Sequence, residues 1–424
     1  MHSTDIPRDL STYTNVVYAN SAKTHEEALA VAYSLKGFNF LPYQKFALLK
    51  IETEDGPRIV RVHKSGGGAK EFLATRLFME RYPTVPIEKL IIAPTFELVV
   101  HPNYNPKLPQ TNELFQEIVL HHFNPQKRVA ETLKIIFLDA LGVARETMLW
   151  QVQEVPNGEF FYGRLKTKAV DGKSGRVEEL YSGKTFNIGG QEVTWEKLKD
   201  LKWVVDGVAY QETLSDLLEQ ARRALDPNVP RLTGLSQGDW HENHVIPNPE
   251  FPRYAYTHLE YAGRNDLLTD AVMFLVHTTV YADYLNPVFH SETYKANPKI
   301  DTYIEDTKKA KARNISGKIV DNTIQISGAA TFGTLSSRKE IGTLFLTTYL
   351  DPLLKMGTEK FGTQFQSEAT FRAAILLRLI GGQSIQRTLP PADQAKFFAL
   401  VYKSVGTPTT GSTQPCLNRF MEAL

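Results

Sequence analysis

The chain has one cysteine among its 424 residues, Cys416, so an internal disulfide framework is excluded and a reducing compartment suits it. It also lacks a charge imbalance: 48 Lys and Arg against 47 Asp and Glu leave a formal net charge of +1. So weak a field does not draw in nucleic acid or an anionic membrane, and neither is expected as a partner. Long apolar runs are missing too. The longest stretches, such as residues 271–281, are interrupted by polar residues and too short to cross a bilayer. The N-terminal MHSTDIPRDLSTYTN contains no apolar segment of the kind a signal peptide needs, so the expectation is a cytoplasmic chain. What is present is ordinary globular composition, 42% hydrophobic and 22% charged, at a length that suits two to three domains.

Punctuation along the chain divides it. Thr24-His-Glu-Glu27 is a capping box ahead of a helix running to about residue 35. β-type runs follow at 38–43, 46–52 and 58–62, the last two joined by Asp55-Gly56, a hairpin signal because both residues tolerate positive φ. Ser65-Gly66-Gly67-Gly68 reads as a flexible connector into a helix over 70–81, and further strands are expected at 90–93 and 96–100. Residues 1–104 therefore read as a small antiparallel sheet with a helix across it, and 105–405 as a mainly helical part. Its helices are expected at 127–141, 213–225, 269–285, 340–355, 367–380 and 391–403. Residues 155–209 alternate and are rich in turn pairs, which predicts a β-hairpin insertion, while the Thr/Gly/Pro-rich 406–424 predicts a flexible tail. The fold class is α+β with a small sheet lobe and a larger helical lobe.

The chemistry concentrates in Leu235-Ser-Gln-Gly-Asp239-Trp-His241-Glu-Asn-His244 and, after a β-type run at 254–259, in Glu260-Tyr-Ala-Gly-Arg-Asn-Asp-Leu-Leu-Thr-Asp270. An order of helix, polar loop, short strand, polar loop and helix can set two groups of acids and imidazoles against each other across a cleft. His241-Glu242 begins like H-E-x-x-H, but the fifth position is Val245, so the zinc-protease motif is absent.

Gly238, Asp239 and His241, then Glu260, Ala262 and Gly263, then Asp270 and Ala271, resemble three ordered motifs of the aminoglycoside phosphotransferase and choline kinase group: H-G-D-x-H-x-x-N, I-D-x-E-x-A-G and D-h-A. The resemblance implies a protein-kinase-like two-lobed fold and ATP-dependent phosphoryl transfer to a hydroxyl of a small molecule, with ATP and a divalent metal as cofactors. It implies that Asp239 is the catalytic base, that His241 and Asp270 support its loop, and that Arg61 and Glu71 pair to hold the nucleotide phosphates. Two unrelated surface charges are the alternative for that pair, and Lys64 a replacement for Arg61 that strand alternation turns to the other face. The phosphate-covering segment 41–45 has no glycine, and Gly66–Gly68 fits neither phosphate-loop pattern. Tyr261, Arg264, Asn265 and Asp266 either face the acceptor or form a polar turn.

The departures from the pattern are chemical. Gln237 replaces the first histidine, His244 replaces the metal-binding asparagine, His258 replaces the principal metal-binding aspartate, and Asn243 is one position early. Magnesium prefers hard oxygen ligands and gains little from imidazole. Two outcomes stay open. Catalysis is lost or altered, leaving a pseudokinase-like binding or regulatory protein. Alternatively His244 and His258, with Glu260 or Asp239 as oxygen ligand, take manganese, zinc or iron. A metal-dependent hydrolase using Asp239, His241, His244 and His258 is a third reading. Nothing in the sequence sets an oligomeric state.

Overall fold

The computed structural model describes residues 10, 12–40, 48–102, 114–125, 127–165, 175–247, 254–285, 299–311, 315–382, 384–411 and 414–424; the segment 41–45 lies outside them. The N-terminal part comprises β1 (Val16–Tyr18), α1 (His25–Ala32), β2 (Leu35–Phe40), β3 (Leu48–Thr53), β4 (Gly56–Lys64), α2 (Gly67–Phe78), β5 (Lys89–Ile92) and β6 (Phe96–Pro102). Its strands form one six-stranded sheet in the order β1-β5-β6-β4-β3-β2, antiparallel except for β1 with β5. Alternation gives it two apolar faces. Leu49, Ile51, Val60, Leu98 and Val100 pack with Ala28 and Leu29 of α1, and Leu90 and Val99 pack with Ala69 and Phe72 of α2. The Asp55-Gly56 turn closes β3 on β4 with Gly56 at φ 101°, and the Thr24–Glu27 capping box forms.

The glycine run is not the connector that its composition suggests. Gly66 caps α2 at φ 88°, and Gly67 and Gly68 are the helix's first turn. The buried Glu97 carboxylate on β6 accepts from Gly66 N and Ala69 N, each at 2.8 Å. A carboxylate is favoured where free N–H groups converge. A Cβ on Gly68 would lie 2.8 Å from Glu97 Cβ, so small residues let the helix seat this close to the sheet. The helix therefore covers Gly67–Phe78 rather than 70–81.

The end of α2 joins the second part. Phe78 and Tyr82 lie in the larger core, and the chain after them exchanges backbone hydrogen bonds with Tyr256: Val85 N to Tyr256 O at 3.0 Å and Tyr256 N to Pro83 O at 2.9 Å. Then follow α3 (Leu114–Phe123), α4 (Lys127–Thr147), β7 (Leu149–Gln151), α5 (Arg176–Tyr181), β8 (Thr185–Ile188), β9 (Gln191–Thr194), α6 (Trp195–Leu198), β10 (Lys202–Val205), β11 (Val208–Ala209), α7 (Leu214–Ala224), β12 (Arg231–Ser236), β13 (Val245–Pro247), β14 (Tyr254–Tyr256), β15 (Gly263–Asp266) and α8 (Leu267–Val276). Later helices cover Ile300–Lys311, Ser336–Phe345, Asp351–Phe361, Glu368–Gly382, Pro391–Val405 and Cys416–Ala423, with the hairpin β16 (Ser316–Val320) and β17 (Thr323–Ser327) between the first two. A small antiparallel-rich sheet followed by a larger helical lobe is the kinase-like architecture expected.

Two expectations need correction. Residues 155–209 are more than a hairpin insertion: 3-10 turns at Pro156–Phe160 and Tyr162–Leu165 and two short helices accompany the β8–β9 hairpin, and β10 pairs in parallel with the distant β17. Tyr181, Trp195 and Trp203 are fully buried in the main core, so these aromatics outweigh the turn-rich composition. The tail is not all flexible either. Leu417, Phe420, Ala423 and Leu424 recur at helical spacing and are buried, and Ala423 O and Leu424 O accept from the backbone of Phe332, Gly333 and Thr334. The Thr/Gly/Pro run masks that period. Among the described residues no helix is long and apolar enough to cross a membrane.

Candidate active site

β12 is the middle strand of the antiparallel sheet β15-β12-β7, and the chain turns sharply where it ends. Gly238 stands at φ 84°, and a Cβ there would lie 2.2 Å from Tyr261 O, so no larger residue fits. Asn265 on β15 donates from Nδ2 to Tyr261 O (2.9 Å) and Ser236 O (3.1 Å), tying the turn to the neighbouring strand. Asp270 on α8 accepts from Gly238 N (3.3 Å) and Trp240 N (3.4 Å). Burial pushes the Asp270 carboxyl up to about 7, against the pull of those donors. Trp240 anchors the loop among Phe137, Phe274, Phe345 and Tyr349. Asp239 is thus carried on a turn held from two sides, with its side chain 18% exposed.

Gln237 ties this turn to the segment bearing His258. Its Oε1 accepts from Asp239 N (2.8 Å), and its Nε2 donates to His258 O (2.9 Å) and Thr257 O (3.3 Å). His258 itself is in the left-handed region, at φ 57° and ψ 55°. Histidine is among the non-glycine residues enriched there, and the conformation still has a cost.

The imidazoles form a column. The ring of His277 stacks on His241 (4.1 Å between centroids), His241 lies against His244 (3.7 Å), and His244 stacks on His258 (4.3 Å). Burial, and after it neighbouring positive charge, pushes His241, His258 and His277 well below the ordinary histidine range. His244 is lowered by burial as well, with Asp239 acting in the opposite sense. The column is therefore neutral at pH 7. His244 Nδ1 lies 2.9 Å from Asp239 O and 3.4 Å from Gln237 Nε2; the shorter contact assigns the proton to Nδ1, donating to Asp239 O. His277 begins a π-type turn, His277–Leu285, that continues α8.

A second cluster sits on the sheet side. Arg61 and His63, two apart on β4, both meet Glu71 on α2: Arg61 Nη1 bonds to Glu71 Oε1, and His63 Nε2 lies 2.7 Å from Oε2. Glu71 is fully buried, which alone would raise its carboxyl, but Arg61 and His63 bring it down to about 2. His63 Nδ1 is 3.8 Å from Glu260 Oε2, so this cluster reaches across to the turn after His258. Burial raises the Glu260 carboxyl, while Arg61 lowers it.

The structure brings Arg61 together with Glu71, Asp239 with His241 and His244, and Asp270 with the loop backbone. It does not assemble the metal set expected from His244, His258 and Glu260. The donor atoms that lie within 4.8 Å of one another belong to Asp239, His241 and His244 in one group, and to His63, Glu71 and Glu260 in another. A metal lies near the plane of each imidazole that binds it. His244 and His258 are parallel within 9° and stacked face to face, so their planes do not meet at a shared ion. Magnesium does not fit the residues present. The first group offers one carboxylate and two imidazoles, and in the second Glu71 is already committed to Arg61 and His63. The first donor set suits a zinc-like ion.

Two features escape sequence reasoning. Glu242, read only as part of a failed motif, is fully buried against Arg338, whose Nη1 donates to both carboxylate oxygens at 2.6 and 2.8 Å and whose Nε donates to Tyr303 Oη at 2.7 Å. That pair pins the loop between Asp239 and His244 from a helix far along the chain, and no local pattern announces it. Asn265 and Asp266 are not directed at an acceptor: Asn265 braces the Gly238 turn, and Asp266 caps α8 through Leu268 N at 3.0 Å.

No protein-family model matches the chain, and neither does any curated protein. Among solved structures it is similar to a glucosamine kinase in complex with glucosamine, ADP and inorganic phosphate, at 10% identity and TM-score 0.41 over 90% of this chain and 83% of that one. An ethanolamine kinase from Plasmodium vivax gives 10% identity and TM-score 0.37 over 94% and 92%. A thermostable mutant of an aminoglycoside phosphotransferase gives 10% and 0.41 over 88% and 97%. These are too distant to transfer a ligand or a residue role, so what this chain does has to be argued from its own residues.

Proposed function

We propose that this chain is a kinase-like phosphotransferase acting on a hydroxyl group of a small molecule, with Asp239 as the group that receives the acceptor. The carrying observation is Asp239 itself: a partly exposed carboxylate on a turn clamped by Asp270, Asn265 and Gln237, with Arg61, Glu71 and Asp239 all acting on His244 and Glu260. Precise placement of a carboxylate opposite a cation is what in-line transfer needs. The acceptor hydroxyl donates to Asp239. As its oxygen bonds to the γ-phosphorus of ATP, the proton passes to the carboxylate and the bond from phosphorus to the bridging oxygen of the departing ADP breaks. Arg61, held by Glu71, is the residue for the α/β-phosphates. Magnesium is given no step, because the residues at the inherited ligand positions do not suit it.

A second reading rests on the stack of His244 and His258: neutral imidazoles packed face to face fit a protein that binds a nucleotide without transferring from it. Thermal shifts with ATP alone and with magnesium, manganese or zinc, followed by assays of ATP-dependent transfer to hydroxyl compounds, separate the two. The phosphotransferase reading expects a metal-dependent shift and transfer that Asp239→Asn lowers roughly 10²–10⁴-fold. Transfer that survives Asp239→Asn would remove the base. A shift indifferent to metal, without transfer, would favour the second reading.

A further inference from the structure

Among the described residues four arginines are nine-tenths buried or more: Arg164, Arg231, Arg338 and Arg378. Arg338 has Glu242, and Arg231 has Asp266 at 4.0 Å. Arg164 and Arg378 have no carboxylate within ion-pair distance among the described residues. Arg164, in the turn Tyr162–Leu165, donates from Nη1 to Gly381 O at the end of the helix Glu368–Gly382. Arg378 belongs to that same helix; its Nη2 lies 3.4 Å from His277 Nδ1, and its Nε has no partner. Each also faces an aromatic ring, Phe160 for Arg164 and Tyr281 for Arg378, which is weak compensation for a buried charge. The two act on each other. Burial and then Arg378 lower Arg164, whereas Tyr281 and Asp239 act to raise it.

Contacts connect this pair to Asp239. Arg378 meets His277, the His277 ring stacks on His241 at 4.1 Å, and His241 Nε2 is 3.8 Å from Asp239 Oδ2. On the other side the Tyr261 ring, 4.4 Å from that of Phe160, is influenced by both Asp239 and Arg164. The two cations therefore stand a short way behind the carboxylate. Guanidinium groups match the oxygens of carboxylate and phosphate, and a bound oxyanion is the compensation that the described residues do not supply.

We propose that Arg164 and Arg378 form the oxyanion end of the acceptor site, so that the substrate presenting its hydroxyl to Asp239 carries a carboxylate or a phosphate ester at its other end. This names the substrate class of the reading given above and rests on it for the hydroxyl end alone.

The test begins without nucleotide. Inorganic phosphate and glycerate are titrated into the protein by calorimetry. Both are expected to bind, roughly 10- to 100-fold more weakly in Arg378→Gln and in Arg164→Gln, as for loss of a charge-assisted hydrogen bond. Arg223→Gln on the exposed face of α7 is expected to keep the binding. If either variant fails to fold, phosphate protection of Arg378 in the wild-type protein against phenylglyoxal, read by mass spectrometry, gives the same answer. Transfer from ATP is then compared among glycerol, an amino alcohol, glycerate and glycerol phosphate. The anionic acceptors are expected to be preferred, and the last two distinguish carboxylate from phosphate ester. Absence of anion binding to the wild type, or equal binding by both arginine variants, overturns the proposal. Because binding is read without ATP, a failed kinase assay leaves it standing; transfer to glycerol without anion binding removes the oxyanion end and spares the kinase reading.

Discussion

Arg61 and Arg338 lie against carboxylates, whereas Arg164 and Arg378 are buried with no carboxylate within ion-pair distance among the described residues, Arg378 against His277. The difference separates two uses of a buried charge. Where the protein supplies the counter-charge, as Glu71 does for Arg61 and His63, or Glu242 for Arg338, the group fixes geometry: α2 is locked to β4, and the loop bearing Asp239 to a later helix. Where it does not, the charge is held at a free-energy cost that binding can relieve. The histidine column resembles the second kind, since burial pushes His241, His258 and His277 well below the ordinary range.

Acid is the strongest way to break that comparison. His241, His244, His258 and His277 all have folded values below the ordinary 6.5, so between those values and 6.5 the unfolded chain binds more protons than the folded one. Their share of stability is complete above 6.5 and is lost as pH falls from there. Asp270, raised from 3.8 to about 7, works in the opposite sense: its contribution is complete below 3.8 and is lost as pH rises to 7. Each histidine that stays neutral in the fold takes up to about 1.4 kcal/mol per pH unit from the metal-free protein below 6.5, and Asp270 offsets one such share, so stability should fall as the pH drops. Urea unfolding at pH 7, 6 and 5 with a chelator present measures it. A flat profile would mean that the column is charged in the folded state and paired with carboxylates.

The compensated side breaks next. Glu242→Ala leaves Arg338 buried without its carboxylate and should cost about 3–5 kcal/mol in unfolding free energy. Replacing both, as Glu242→Leu with Arg338→Met, should recover much of that loss. If the double variant is no better than the single one, the pair's value is not its charge balance but its bonds to Tyr303 and the surrounding loop.

How much of this could be read beforehand depended on reach along the chain. Local punctuation was legible: the capping box at Thr24, the Asp55-Gly56 hairpin, the capped helix at Thr213, and the loop from Gln237 through Asp270 that carries the motifs. The contact of Arg61 with Glu71 was reachable because both flank one strand–helix connection. Gly66–Gly68 misled because glycine marks flexibility and close packing alike, and only Glu97 on β6 decides between them. The histidines were found, but their stacking was not, since ring orientation follows from the left-handed turn at His258 and from α8 below. Arg164, Arg338 and Arg378 carry no local signature at all. Their meaning depends on whether an acid from elsewhere arrives beside them, which is a tertiary fact.

The smallest expected effect discriminates most sharply. Arg378→Gln removes a buried cation with no carboxylate partner while keeping a donor for His277, so without anions its unfolding free energy should stay within about 1 kcal/mol of wild type or rise. The same substitution of a compensated arginine should be several times more costly. Phosphate in excess should then stabilise the wild type and not the variant, by about 1.4 kcal/mol for each tenfold excess over the dissociation constant once the site is nearly full. A loss in Arg378→Gln as large as that in Glu242→Ala would mean that the protein does compensate this charge. Arg378 would then be a structural residue like Arg338, and the neutral histidines beside it would be left to explain the region by themselves.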